Sequence, residues 1–167
     1  MRRCILNDLL KGKISLIGAE VGVWEGDNAY SLFNQLDVKK LYLIDPYENY
    51  TDSTQGEGLL ERPFDRAKER ARVLVEQYPT EWLYKKSVDA VKEVKEKLDF
   101  VYIDADHQYE YVIEDLETWY PKLKKGATMA GHDYNIPDVK RAVDEFCENN
   151  NLKLELIDAE NEWWFIK

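Results

Sequence analysis

Short apolar runs alternate with stretches of helical periodicity along the chain, with no internal repeat and no low-complexity tract. Ser15–Val23 predicts a first strand, bounded by Gly26, after which Ala29, Leu32, Phe33 and Leu36 recur at helical spacing. Lys40–Ile44 predicts a second strand that stops at Asp45-Pro46, and the polar stretch Glu48–Arg62 reads as a loop or lid. Phe64, Ala67, Ala71, Leu74 and Tyr78 then share one helical face, with Pro63 suited to its first turn and Pro79 to its end. Trp82–Tyr84 predicts a strand, and Ser87 an N-cap for a helix bearing Val88, Val91 and Val94. Phe100–Ile103 is a strand closed by Asp104, followed by a helix with Val112, Leu116 and Trp119 on one stripe, ending at Pro121. Gly126–Gly131 predicts the next strand, and Val139, Ala142, Val143 and Phe146 the last helix. Leu152–Ile157 and Trp163–Ile166 close the chain as strands joined by a turn at Asp158–Asn161. This order predicts a three-layer, Rossmann-like α/β sandwich whose sheet is mostly parallel, with an antiparallel strand at the end.

In such sheets ligands bind outside the carboxyl ends of the strands, where the strand order reverses. The predicted ends read Gly22–Gly26, Asp45, Ser87, Asp104–His107 and His132-Asp133, so polar groups gather at one rim. Gly18, Gly22 and Gly26 are spaced by four, which is not G-x-G-x-x-G, and no Lys-Ser or Lys-Thr follows them, which excludes a P-loop. Glycines let a ligand approach the backbone, and an acid such as Glu20 suits a cationic or hydroxylated one. Asp45 lies about 20 residues beyond the loop, where a carboxylate can accept both hydroxyls of a ribose. A tight strand-to-helix turn and a turn-forming Asp before Pro46 are the bland alternatives. Asp104, Asp106, His107, His132 and Asp133 suit a divalent metal or general-base catalysis, or simply cap strand ends. His107 is the favoured base, since imidazole titrates near pH ~6.5, with Asp106 as the alternative.

Composition narrows the classes. The 167 residues, 44% hydrophobic, suffice for one domain with its own core. Asp and Glu total 33 against 23 Lys and Arg, a net charge of −10, so the surface repels phosphate backbones and a nucleic-acid partner is not expected. The basic run Lys122-Leu123-Lys124-Lys125 is expected at a helix end, complementing its dipole. No apolar run reaches membrane-spanning length, Met1–Asp8 is no signal peptide, and Cys4 and Cys147 fit free thiols of a reducing cytoplasm. Trp24, Tyr47, Tyr50 and Tyr134 fall near loops that could flank a ligand, whereas Tyr102, Trp119 and Phe146 read as core. The tail Glu162–Ile166 reads as a strand with one exposed apolar face, hence an interface.

Glu20-x-Gly22-x-x-x-Gly26 followed by Asp45 resembles the class I S-adenosylmethionine-dependent methyltransferases. Tyr102-Ile103-Asp104-Ala105-Asp106-His107-Gln108-Tyr109, with Gly131-His132-Asp133-Tyr134, is similar to the small-molecule O-methyltransferase branch. That branch holds sugar and antibiotic-tailoring enzymes and the cephalosporin-hydroxylase-like group. The resemblance runs from about Ile14 to Lys167 and implies a seven-stranded sheet with an antiparallel last strand. It implies that Glu20, Gly22 and Gly26 line the methionine end of the cofactor, with Trp24 flanking and Asp104 nearby. Asp45 would hold the ribose, Pro46 and Tyr47 would lie against the adenosine, and Ser87 would sit on the adenine side. There the family often has an acid one residue earlier, where this chain has Lys86. Metal-dependent relatives resemble the chain at Asp104 and Asp133, while His132 stands where they carry an acid or amide. The implied activity is methylation of an oxygen on a small acceptor such as a sugar or phenol. S-adenosylmethionine is the implied cofactor, and a divalent metal such as magnesium stays open as a second. Acceptor contacts are expected from Glu48–Arg62, from Tyr134–Asp138 and from a second subunit of a homo-oligomer. Two other readings stand beside this one: a cofactor-binding module acting through a partner protein, and an NAD-dependent oxidoreductase, which the missing G-x-G-x-x-G weakens.

Overall fold

Strand β1 (Leu16–Val21) carries apolar residues on both faces because it lies mid-sheet and is covered from both sides. The computed structural model describes residues 4–48, 63–157 and 161–167. After α1 (Leu6–Leu9) and β1 come α2 (Asp27–Gln35), β2 (Val38–Ile44), α3 (Phe64–Leu74), β3 (Thr80–Leu83) and α4 (Ser87–Ala90). Then follow β4 (Leu98–Ile103), α5 (Tyr109–Trp119), a 3-10 turn (Tyr120–Lys122), β5 (Leu123–Gly131), α6 (Pro137–Asn149), β6 (Glu155–Ile157) and β7 (Glu162–Ile166). The sheet runs β3-β2-β1-β4-β5-β7-β6, parallel except that β7 is antiparallel to both of its neighbours. The strand order reverses between β1 and β4, in the register Glu20 opposite Tyr102 and Val21 opposite Ile103. The ligand-binding crevice of a doubly wound sheet opens there.

Strand alternation divides the core into two layers. Val101 and Ile103 of β4 pack with Val112, Leu116 and Trp119 of α5 and with Val139, Val143 and Phe146 of α6. Phe100 and Tyr102, pointing the other way, join Leu6, Ala29, Leu32 and Ala71 of α1, α2 and α3. Burying a Leu- or Phe-sized side chain contributes about 1.5–3 kcal/mol, so these faces hold the rim in place.

Several boundaries differ from expectation. Ser87 is the first residue of α4 rather than its N-cap, which is Lys86, and α4 stops at Ala90 instead of running on to Val94. Of the basic run, Lys122 ends the 3-10 turn, but Lys124 and Lys125 belong to β5, and Lys124 pairs with Asp99 at 2.7 Å. The tail is no exposed face: Trp163 and Phe165 are fully buried because β7 lies between β5 and β6, and only Ile166 is exposed. The N-terminal segment, which carries no periodicity long enough to read, forms α1 and buries Cys4, Ile5, Leu6 and Leu10. Both cysteines are buried thiols. The expected lid and Tyr50 lie outside the described residues, apart from Glu48, as does most of the Asp158–Asn161 turn. Among the described residues no helix is long and apolar enough to cross a membrane.

Candidate active site

β1 carries Glu20 to the rim, and the chain then turns into α2. Gly22 has φ +87°, and a Cβ there would lie 2.1 Å from the Asp104 carbonyl oxygen, so only glycine fits between the ends of β1 and β4. Gly26, at φ +82°, meets Ala71 of α3 in the same way, at 3.0 Å. Arg70 beside it grips Asp27 through two hydrogen bonds of 2.9 Å and donates to the Glu25 carbonyl, so α3 backs the loop. From β2, Asp45 Oδ2 accepts the Val23 and Trp24 N–H groups at 3.0 and 2.9 Å, and Oδ1 accepts the Tyr47 N–H at 2.8 Å. The Tyr47 hydroxyl donates to the Trp24 carbonyl at 2.7 Å. Burial, with the Asp45 and Glu20 charges, pushes the Tyr47 phenol far up, so it stays protonated and remains a donor.

This lacing makes Asp45 part of the loop itself. A carboxylate oxygen has about two acceptor directions, so the loop fills Oδ2 and only Oδ1 keeps room for a ligand hydroxyl. Glu20 is buried, and its Oε1 accepts from Asn28 Nδ2 at 3.3 Å. Asn28, in the first turn of α2, is a partner that spacing alone did not single out. Trp24, Tyr47 and Asp133 all have positive φ, the conformation that non-glycine residues avoid and that gathers at functional sites.

The second half of the rim lies at the ends of β4 and β5. Asp104 donates its N–H to the Val21 carbonyl at 2.8 Å, which sets it beside the glycine loop. Ligand atoms of Asp104, His107 and Asp133 all lie within 4.8 Å of one another. His107 Nε2 is 2.9 Å from Asp133 Oδ2, and His132 Nδ1 is 2.7 Å from Asp133 Oδ1. Burial alone would raise the Asp133 carboxyl, but hydrogen bonds from both imidazoles outweigh it and hold the group well below the usual carboxylate range.

These contacts place four of the expected residues. His107, not His132, joins Asp104 and Asp133 in the group that could hold a cation. The His132 backbone is held by the fold, its N–H donating to the Ile103 carbonyl and its carbonyl accepting from Trp163 Nε1 at 3.1 Å, while its imidazole meets Asp133. Asp106 forms a turn, accepting the Gln108 N–H at 2.9 Å just before α5. The Ser87 hydroxyl accepts from Trp119 Nε1 at 2.6 Å. Of the other loop residues, Trp24 is 39% exposed against the edge of Phe64, Pro46 is half-buried, and Tyr134 gives its hydroxyl to Asp144 at 2.5 Å.

A glycine turn at the point of strand reversal with an acid at the next strand end is the arrangement found at nucleoside-cofactor sites of doubly wound α/β folds. The chain belongs to a methyltransferase-domain family, whose match spans residues 19–134. Solved structures share the fold at low identity. A Streptococcus mutans protein described as a methyltransferase and solved with S-adenosylhomocysteine has 16% identity and a TM-score of 0.71, covering 100% of this chain and 99% of that one. The O-methyltransferase NovP has 19% identity and a TM-score of 0.67, over 97% and 76% of the two chains. An rRNA methylase from Streptococcus thermophilus has 15% identity and a TM-score of 0.68, over 99% and 95%. No curated protein matches the chain. The protein is an S-adenosylmethionine-dependent methyltransferase. The residues present fit that cofactor: the rim is lined by Glu20, Asp45, Asp104 and Asp133, which suit a sulfonium and an ammonium rather than a pyrophosphate.

Proposed function

We propose that the protein methylates an oxygen of a small hydroxylated metabolite, such as a sugar or a phenol, with His107 as the base. The observation that carries this is the 2.9 Å contact between His107 Nε2 and Asp133 Oδ2 at the β4–β5 rim. When bound, S-adenosylmethionine supplies an electrophilic methyl group. Glu20 and the Gly22–Gly26 turn would hold its methionine end, Asp45 Oδ1 a ribose hydroxyl, and Pro46 and Tyr47 would line the adenosine. In a neutral His107 the contact with Asp133 puts the ring proton on Nε2 and the lone pair on Nδ1. Nδ1 then takes the acceptor hydroxyl proton, while Asp133 fixes the ring and stabilises the imidazolium that results. NovP, described as an O-methyltransferase, supports the acceptor class by analogy, and the net charge of −10 disfavours an RNA backbone.

The proximity of Asp104, His107 and Asp133 favours a second reading, in which they hold a divalent cation that acts as a Lewis acid. Methyl transfer to a panel of sugars and phenols, measured with labelled cofactor, separates the two. Under the base reading, His107→Ala slows transfer by roughly 10²–10⁴-fold at nearly unchanged cofactor affinity, and chelation has no effect. Activity lost to chelator and restored by magnesium or manganese would favour the metal. Full activity of His107→Ala would overturn the base, and cofactor binding without turnover across the panel would favour a binding module.

A further inference from the structure

Asp133 meets two imidazoles at once and stands at φ +60°, a left-handed conformation that a non-glycine residue keeps only where its surroundings hold it. What holds it lies in the segment that follows. The Asp133 carbonyl accepts the Ile136 N–H at 2.8 Å, closing a turn just before α6. The Tyr134 N–H donates to the Asn161 carbonyl at 3.1 Å, which ties that turn to the residue before β7. The side chain of Tyr134 supplies a third tie, to α6.

Lys140 and Asp144 stand one helical turn apart on α6, beside its buried stripe of Val139, Val143 and Phe146. Between them they grip the Tyr134 hydroxyl, which donates to Asp144 Oδ1 at 2.5 Å and accepts from Lys140 Nζ at 2.9 Å. Lys140 also donates to Asp144 Oδ2, so the three groups close into a ring. The Lys140 ammonium lies 4.8 Å from the centroid of the Tyr134 ring, which itself packs against the core between α5 and α6. A half-exposed ion pair of this kind contributes little to stability by itself. Here it is closed around the residue next to Asp133, and the tyrosine hydroxyl gives its proton within the protein.

We propose that Tyr134 and Asp144 are positioning residues for methyl transfer: supported by Lys140, they fix the turn after β5 on α6 and so keep the Asp133 carboxylate against His107. The inference rests on the reading of His107 as the base, whose lone pair is on Nδ1 only while Asp133 keeps the ring proton on Nε2. Without the hydroxyl clamp, Asp133 relaxes from its left-handed conformation, and the His107 ring loses both its orientation and its single tautomer.

The chain has only two histidines, so NMR of protein labelled at the histidine ring nitrogens reads both tautomers, with His107→Ala assigning the signals. Spectra are taken in chelator at about pH 9, above the ordinary imidazole range. In the wild type His107 should carry its proton on Nε2, and in Tyr134→Phe and Asp144→Ala its signal should move toward a mixture of tautomers. With labelled cofactor and a working acceptor, both variants should lower kcat roughly tenfold, because the base is misplaced. KM for the cofactor and the affinity for S-adenosylhomocysteine should stay within about twofold. The double variant should be no slower than the slower single one, as expected of groups acting through one contact. Asp144→Asn should recover most of the rate, because its amide oxygen still accepts the tyrosine hydroxyl. A His107 ring already mixed in the wild type, or unchanged in Tyr134→Phe, would overturn the proposal. Additive losses in the double variant would do the same, as would a cofactor affinity that falls in step with kcat, the mark of a general loosening. If Asp144→Ala does not fold, Tyr134→Phe and Asp144→Asn decide. His107→Ala keeps the underlying reading separate. Full activity there overturns the base and leaves the His107 signal in Tyr134→Phe as the measure of the clamp, whereas lost activity there with normal kcat in Tyr134→Phe overturns the clamp alone.

Discussion

At the residue scale the rim depends on carboxylates that do more than face a ligand. Asp45 satisfies the N–H groups of Val23, Trp24 and Tyr47, so it holds the loop together in addition to the ribose contact proposed for it. Asp45→Ala should therefore cost about 2 kcal/mol of stability as well as weakening S-adenosylhomocysteine by at least tenfold, checked by urea unfolding and calorimetry. A fold-neutral loss of binding would contradict that double role. Asp115, buried on α5, gives a pH dependence of determinate sign. Its folded pKa, about 7, lies above the ordinary 3.8, so the folded chain holds the proton more tightly than the unfolded one. The stability linked to it is full below about pH 4 and is lost as pH rises toward 7, amounting to about 4 kcal/mol. Asp115→Asn should remove that slope, so that unfolding free energies of variant and wild type diverge in the variant's favour between pH 5 and 8.

At the element scale, α3 supports the glycine loop from behind. Ala71 is fully buried and in contact with the site where Gly26 has no side chain, while Arg70 bonds to the residues on either side of Gly26. The Arg70 pairs are about half exposed and contribute at most about 1 kcal/mol, so the packing of Ala71 is the stronger constraint. Ala71→Leu should overpack this contact, costing about 1–3 kcal/mol. It should also lower cofactor affinity, because the displaced Gly26 end carries the turn with it. Calorimetry of Ala71→Leu beside Arg70→Ala would show this order, and a larger effect at Arg70 would reverse it. The hairpin β6–β7 acts in the same way on the other half of the rim: Trp163 Nε1 bonds to the His132 carbonyl, fixing the segment that delivers Asp133.

At the scale of the whole molecule, binding energy adds to folding energy. S-adenosylhomocysteine at a hundredfold excess over its Kd should stabilise the fold by about 2.7 kcal/mol. For a chain of this length that corresponds to a rise of roughly 5–10 °C in Tm, read by scanning calorimetry. A shift with NAD and none with S-adenosylhomocysteine would contradict the cofactor assignment. The acidic surface, at −10, adds a separate expectation. Raising salt should leave association with a small neutral acceptor nearly unchanged, since no long-range charge attraction drives it.

The pattern of apolar runs was enough to determine the α/β alternation, the closing hairpin and the strand ends at which chemistry gathers. Those signals are local, because the period of a strand or helix and the residue that terminates it lie within a few positions of each other. The glycine loop and Asp45 were legible for the same reason, each standing at the end of a readable strand. Only the tertiary structure decided which residues of the rim meet. Whether His107 or His132 joins Asp104 depends on how β4 and β5 are registered and on the positive φ of Asp133, and no spacing along the chain encodes either. Ser87 and Trp119 stand 32 positions apart, and their hydrogen bond exists only because α4 and α5 pack on the same face of the sheet. The burial of the Trp163–Phe165 tail was likewise hidden, since a short apolar run does not say whether it lies at the edge of a sheet or inside it, and β5, which covers it on one side, comes from elsewhere in the chain.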